Sequence, residues 1–302
     1  MKKANWAHVG LICVNFIYGG NYIVAKDLMP HVIGPSGFIT LRILGATLLF
    51  GILFLFNRER IQKKDWGRIV LCALFGITIN QLLFFNGLSL TSPINGSIIM
   101  TSTPILVLVA SSFLLKEKIT KMRIAGVAIG FLGAVGLIIT GKNTSNISSG
   151  IGDLMIFLNA MSYGIYLVLA KPLMQKYKPT TLIFIFFLLG FFFTLPFGYS
   201  QFSEVEWGAL TSYHIGAISY VVLGTTFLAY LLNIYSLKFV SPSVTSSYIY
   251  MQPMVALLAA YFFFHWGITQ QNMNDLTFVK CIFMLLIFTG VYLVNKNKSK
   301  AA

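Results

Sequence analysis

Apolar residues fill this chain in long blocks, and polar residues punctuate the blocks instead of alternating with them. Blocks of this length exceed what a strand or a buried helix of a soluble domain needs. They match helices that cross a membrane, at about 20 apolar residues for each passage through ~30 Å of hydrocarbon. Between Arg68 and Lys116 no formal charge occurs over 47 residues, too many for one crossing, so this segment must turn once. Ser, Thr and Pro cluster from Ser89 to Pro93, and Pro93 is suited to begin a helix because its missing N–H would be unpaired there anyway. The same reasoning predicts ten spans, at 5–25, 35–56, 69–89, 93–115, 122–141, 151–171, 179–199, 213–237, 242–265 and 276–295.

Composition agrees with this reading. Of 302 residues 57% are apolar and only 10% charged, the mean hydropathy is +0.79 and 27 residues are Phe. Soluble domains have roughly 45–50% apolar and ~25% charged residues. Ten crossings use nearly the whole length, which excludes a catalytic head on an anchor. Lys2 and Lys3 ahead of an apolar run resemble the start of a signal peptide, but 5–25 offers a full span and no small-residue cleavage site, so a retained first helix is expected. Cys13, Cys72 and Cys281 lie far apart in apolar runs and are expected to pack as small apolar side chains.

The net charge of +14 would suggest nucleic acid for a soluble protein, but here its distribution encodes topology. With both termini cytoplasmic, eighteen of the 22 Lys and Arg fall on the inner side. They cluster at Lys2–Lys3, Arg58–Arg68, Lys116–Arg123, Lys171–Lys178, Lys238 and Lys296–Lys300. Lys26, Lys142 and Lys280 fall outside, and Arg42 lies within the second span. Positive residues accumulate on the cytoplasmic side, so the expected orientation is N-in and C-in.

The chain also repeats itself. Tyr18-Gly19 and Ala25-Lys26-Asp27-Leu28-Met29 recur at an offset of 145 as Tyr163-Gly164 and Ala170-Lys171-Pro172-Leu173-Met174. At an offset of 149, Ser92-Pro93, Ser97, Pro104, Phe113 and Ile119-Thr120 recur as Ser241-Pro242, Ser246, Pro253, Phe262 and Ile268-Thr269. Gly136 and Lys142-Asn143 pair with Gly290 and Lys296-Asn297 at 154, which implies about five extra residues near Gln270 to Asp275. The repeats are placed at 1–143 and 150–295, followed by a basic tail at 296–302. Five spans is an odd number, so the second repeat must enter the membrane from the opposite side. Inverted repeats recur in secondary transporters, where two oppositely oriented halves can open a midplane site to either side in turn.

Polar side chains at membrane depth are costly unless they meet partners or line a wet cavity. Asn15, Tyr18 and Tyr22 form one such stripe in the first span, and Asn159, Tyr163 and Tyr166 form its counterpart in the sixth. Asn80 and Gln81 in the third span, Tyr230 and Asn233 in the eighth, and Tyr248 with Gln252 on one face of the ninth complete the candidate substrate contacts. The alternative for each is interhelical hydrogen bonding for packing alone. Pro104 and Pro253 each remove a backbone donor and free a carbonyl near Met100 and Ile249, as a kink or as part of a cavity wall. Arg42 is read as snorkelling or bonding to outer-end carbonyls in preference to contacting an anion. Phe84, Phe85 and the Phe184–Phe193 cluster are expected to face lipid or core, and Gly126, Gly130, Gly133 and Gly136 to permit close helix contact. Enzyme chemistry finds no paired carboxylates at depth, no metal-ligand spacing and no phosphate loop, so no metal and no cofactor are expected.

These residues resemble the EamA-type transporters of the drug/metabolite transporter superfamily. Tyr18-Gly19 with Lys26, Arg42, Pro104 with Glu117, Gly152-Asp153, Tyr163-Gly164 and Pro253 stand in that family's order. Trp266, preceded by His265, stands where the family usually has a second Glu. The resemblance implies two five-helix repeats and export or exchange of small organic solutes, most often amino acids, metabolites or amphipathic drugs. An exchanger of phosphorylated or nucleotide-linked sugars is the alternative within transport, and a membrane-embedded enzyme or scaffold the alternative outside it. The expected partners are membrane lipids and a small-molecule substrate, without nucleic acid, for a monomer or weak homo-oligomer in a bacterial cytoplasmic membrane.

Overall fold

The structure is a computed structural model that describes residues 2–91, 93–116, 119–139, 150–255, 258, 262 and 278–296. All regular structure among the described residues is helical. In chain order the helices are α1 (Lys2–Leu28), α2 (Pro35–Phe56), α3 (Lys63–Leu90), α4 (Pro93–Met100), α5 (Thr103–Leu114), α6 (Lys121–Ile139), α7 (Gly150–Lys176), α8 (Pro179–Ser203), α9 (Ser212–Phe239), α10 (Pro242–Ser247) and α11 (Phe278–Lys296). Six of them, α1, α2, α3, α7, α8 and α9, are long and apolar enough to cross a membrane. Phe56, Phe113, Phe197 and Leu285 are exposed on the outside of the bundle, as lipid-facing side chains would be.

The predicted turn at Ser89–Pro93 is present: α3 stops at Leu90 and α4 starts at Pro93. The predicted fourth span is not one helix. Pro104 cannot donate a backbone hydrogen bond, and the chain leaves the α-helix at Thr101 and Ser102 before α5 resumes with Pro104 in its first turn. The ninth span changes winding ahead of Pro253, where a 3-10 turn at Tyr248–Tyr250 separates α10 from the helical residues 251–255. Glu117, Lys142, Asn143, His265, Trp266 and 297–302 lie outside the described residues.

Two further irregularities have no sequence forecast. Helix α3 widens into a π turn at Leu74–Thr78, and α9 does so at Tyr220–Leu228. Each ends two residues ahead of a polar pair, Asn80 and Gln81 in α3 and Tyr230 and Asn233 in α9. A π turn holds one extra residue, so it rotates everything after it relative to a regular helix.

Helix α2 packs on α8, α6 on α11, α3 on α7, α1 on α9, and α5 on α7 and α10. Exchanging the first five predicted spans for the last five maps most of these pairs onto one another. The larger apolar core runs through α1, α2, α3, α7, α8 and α9, and a smaller one joins α6, α10 and α11 to the N-terminal part of α1. Helix ends are closed by side chains. Gln201 Oε1 accepts the Ser36 and Gly37 amides at the start of α2, at 2.8 and 3.1 Å. Lys171 Nζ donates to the Leu237 and Val240 carbonyls at the end of α9, both at 2.7 Å, where the helix dipole favours a cation.

Candidate functional site

A cavity of about 660 Å³, part of it open to solvent, lies between the two halves of the chain. Helices α1, α2, α3 and α4 line it from the first half, and α7, α9 and the α10 segment from the second. No described residue of α6, α8 or α11 reaches it, so those helices brace the walls from outside.

Several helix faces bring polar side chains into walls that are otherwise apolar. In α1, Asn15, Tyr18 and Tyr22 reach the cavity, joined by Asn21. Gln252 ties this stripe to the second half: its amide donates to Asn15 Oδ1 at 2.9 Å, and its Oε1 accepts from the Tyr22 hydroxyl at 3.2 Å. Asn15 in turn donates to the Leu11 carbonyl at 2.7 Å, one helical turn back. On the opposite wall Asn159 donates to the Asn80 carbonyl at 2.7 Å, and Asn233 donates to the Tyr163 hydroxyl at 2.7 Å. Gln81 donates to the Tyr230 hydroxyl, which reaches on to the Gly76 carbonyl at 3.4 Å. Gln81 and Tyr230, which meet here from the two halves, stand 149 positions apart, the same spacing that relates Ser92-Pro93 to Ser241-Pro242.

Arg42 is where the structure departs most from expectation. It is 2% exposed and does not snorkel. Its Nε donates to Thr226 Oγ1 at 3.0 Å and its Nη2 to Thr225 Oγ1 at 3.2 Å. Both hydroxyls spend their own hydrogens on the Val221 carbonyl, at 2.7 and 2.8 Å, inside the π turn of α9. That leaves oxygen lone pairs aimed at the guanidinium. The guanidinium carbon also lies 4.3 Å from the centre of the Phe85 ring and 5.6 Å from that of Phe38. No carboxylate among the described residues pairs with it. Phe84 and Phe85, expected at lipid or core, line the cavity with it.

Two predicted contacts point elsewhere. Tyr248 lies beside the N-terminal part of α1 and the C-terminal part of α11, where its hydroxyl meets His8 Nδ1 at 2.8 Å and accepts from Asn295 Nδ2 at 3.0 Å. The expectation that it shares a face with Gln252 assumed 100° per residue. The 3-10 turn advances about 120° per residue, so four steps separate the two side chains by about 100° instead of about 40°. Tyr166 is buried and packs its ring against Gly76, the one place in the α3 π turn without a side chain to block it, with Tyr163 and Phe186 on its other faces. Met100 and Ile249, each four residues before a helix-breaking proline, both line the cavity. The Phe184–Phe193 cluster divides, with Phe186 and Phe187 in the core and Phe192 exposed.

Comparison with known proteins decides the family. The model of the EamA-like transporter family matches twice, over residues 5–139 and 150–296. The chain belongs to the EamA-like transporter family. An uncharacterized transporter of Archaeoglobus fulgidus is 27% identical over 82% of this chain and 87% of its own length. The uncharacterized transporter YyaM of Bacillus subtilis is 26% identical over 86% and 87%. A crystal structure 15% identical in sequence has the same fold, with a TM-score of 0.73 over 97% of this chain and 98% of that one. The protein is thus a multi-pass membrane transporter of small molecules, and its relatives are transporters, not enzymes.

Within this EamA-like chain the sequence reading missed Asn21 and Thr245, which line the cavity, and Thr225 with Thr226, which hold Arg42. Asn21 stands three residues after Tyr18 and falls within the same stripe, so helical spacing alone was enough to include it. The two threonines gave no such signal, because only the π turn turns both toward α2.

Proposed function

We propose that this chain is a secondary transporter that carries small organic metabolites, amino acids or related compounds, across a bacterial cytoplasmic membrane in the export direction by alternating access. The observation that carries the reading is the cavity itself: amide and phenol groups from both halves converge on one site, and helices interrupted at Pro104 and ahead of Pro253 border it. Discontinuous helices beside a midplane site between repeats are a recurrent transporter device. Ten spans, two inverted five-helix repeats bounded at 1–143 and 150–295 and a cytoplasmic tail at 296–302 complete the proposal, with both termini inside. The reciprocal helix pairing and the double family match support the duplication, and the Lys and Arg asymmetry supports the orientation. Membrane lipids and the solute are the proposed partners of a monomer or weak homo-oligomer. One guanidinium in the cavity favours amino-acid-sized solutes over phosphorylated or nucleotide-linked sugars, which need several cations.

The inner end carries a contact between the halves suited to a gate. Lys176 and the Tyr177 hydroxyl both bond Asp65, and the Lys178 amide donates to Glu59 Oε2 at 2.7 Å. The hydrogen bonds from Lys176 and then Tyr177 hold the Asp65 carboxyl below its usual range.

Two experiments test the reading. Single cysteines near Asn146 and Ser203 are expected to react with an impermeant maleimide from outside, while those near Lys63 and Lys298 are protected; reversal at Asn146 removes the inverted repeat. Counterflow of labelled amino acids in proteoliposomes, and its loss in Asn159→Ala, tests transport, and a uniformly inert panel removes the substrate class. A proton requirement is not expected, because no Asp or Glu among the described residues lines the cavity. Counterflow is expected to vary less than about threefold between pH 5.5 and 8, a range that titrates an unperturbed His. Uptake driven by an imposed pH gradient and abolished by a protonophore contradicts this.

A further inference from the structure

We infer that the cavity selects solutes bearing a carboxylate, which Arg42 takes directly, while unpaired amide oxygens take the solute's hydrogen-bond donors; this rests on the transport reading above. Four buried polar atoms among the cavity residues have no hydrogen-bond partner: Arg42 Nη1 and the Oδ1 atoms of Asn21, Asn159 and Asn233. Their chemistry is lopsided. One is a donor on a full positive charge, and three are uncharged acceptors.

The way Arg42 is anchored explains why it remains available. Thr225 and Thr226 hold Nη2 and Nε through hydroxyl oxygens, and the Phe85 ring covers one face of the guanidinium. These contacts fix its plane without neutralising its charge. A carboxylate is acceptor-only and planar, and arginine holds it with short charge-assisted bonds; Nη1 is the donor left over. A buried charge held only by neutral groups is costly at membrane depth, and an anionic ligand supplies the missing counter-charge. A primary ammonium presents three donors and no acceptor, so it complements amide oxygens rather than the guanidinium. The apolar part of a solute is left to Phe84, Met100 and Ile249. Neutral sugars and organic cations lack the group that Arg42 requires.

The test compares matched pairs that differ only at the carboxyl group: L-threonine, L-leucine and L-phenylalanine against their C-terminal amides, which keep the ammonium and side chain. Binding to purified protein at pH 6.5 is read as ligand-induced thermal stabilisation, titrated to an apparent Kd. In the unaltered protein at least one acid is expected to bind about tenfold or more tightly than its amide, and no amide to bind better than its acid. Arg42→Gln is expected to bring the pair within about threefold of each other, and Arg42→Lys to keep part of the preference, because an ammonium is a point charge without the planar fork. The acid and amide comparison needs no variant, so a misfolded Arg42→Gln leaves the test intact. Equal binding of acids and amides, a preference that survives in Arg42→Gln, or no binding by any acid overturns the inference. The transport reading is judged apart from it, by the cysteine labelling and by counterflow of neutral and cationic tracers, either of which succeeds with no carboxylate preference if only this inference is wrong.

Discussion

Replacing Thr225 and Thr226 together by Val is expected to cost about 3 kcal/mol or more of stability, far beyond what two neutral hydrogen bonds supply in a membrane. Interhelical hydrogen bonds between uncharged groups in membrane proteins average only about 0.6 kcal/mol, because the unfolded chain also finds partners in the bilayer. The partner here is a guanidinium, and hydrogen bonds to charged groups contribute about 1.5–3 kcal/mol each. After substitution, Arg42 keeps its charge, its burial and its place beside the Phe38 and Phe85 rings, but loses both oxygen acceptors. A charge left at mid-helix costs about 2.5–3.5 kcal/mol on insertion scales, so the charged term decides the outcome. The measurement is a double-mutant cycle by steric trapping or calibrated thermal unfolding in detergent. In an Arg42→Met background the same pair of substitutions is expected to cost less than about 1 kcal/mol. Equal costs in both backgrounds would mean that the threonines support only the π turn through Val221 and that Arg42 does not depend on them.

The residues that carry this prediction mark the boundary of what the sequence discloses. The all-helical membrane character, the turn before Pro93 and the polar stripes follow from composition and a 3.6-residue period, both local properties. Ten of the twelve polar side chains singled out as substrate contacts, among them Asn15, Tyr18, Gln81 and Gln252, lie at one cavity. Tyr248 was misplaced because a 3-10 turn changes the angle per residue, and the period assumed for the face no longer holds. The π turns at Leu74–Thr78 and Tyr220–Leu228 were invisible for a related reason: no single residue type announces an extra residue in a turn. They are fixed by tertiary fit, Tyr166 filling the space at Gly76 and Arg42 drawing in the Thr225 and Thr226 hydroxyls. Arg42 itself shows a limit of symmetry as evidence. Counted from the predicted span starts at 35 and 179, its counterpart is Phe186, which is apolar and buried, so the repeat gave no reason to look for a charge at the site. A function that needs one charge in a pseudo-symmetric cavity must break the repeat to place it.

Gly290→Leu is expected to separate α11 from α6 and to lower the yield of folded protein several-fold, while leaving ligand affinity in the surviving fraction unchanged. A Cβ at Gly290 would meet Gly130 N at 2.5 Å, Gly130 Cα at 2.6 Å and the Gly126 carbonyl at 2.7 Å. All three are backbone atoms, so no rotamer change can make room, and the two helix axes must move apart. The reverse contact is equally tight, since a Cβ at Gly126 would meet the Gly290 carbonyl and the Val294 amide, both at 2.8 Å. In water a displaced helix would be driven back by apolar burial, but lipid tails are as apolar as leucine, so van der Waals fit is most of what holds this pair together. Overpacking costs about 1–3 kcal/mol where side chains can yield, and this site offers none that can. Gly216→Ala is the control. Nothing stands within 4 Å of the Cβ position there, and replacing a helical glycine by alanine stabilises by about 0.5–1 kcal/mol. Since no described residue of α6 or α11 lines the cavity, binding measured on monodisperse Gly290→Leu protein should keep the unaltered Kd at a reduced number of sites. A normal yield would mean that α6 and α11 can slide to a looser register, and a raised Kd would show that this peripheral pair sets the width of the cavity after all.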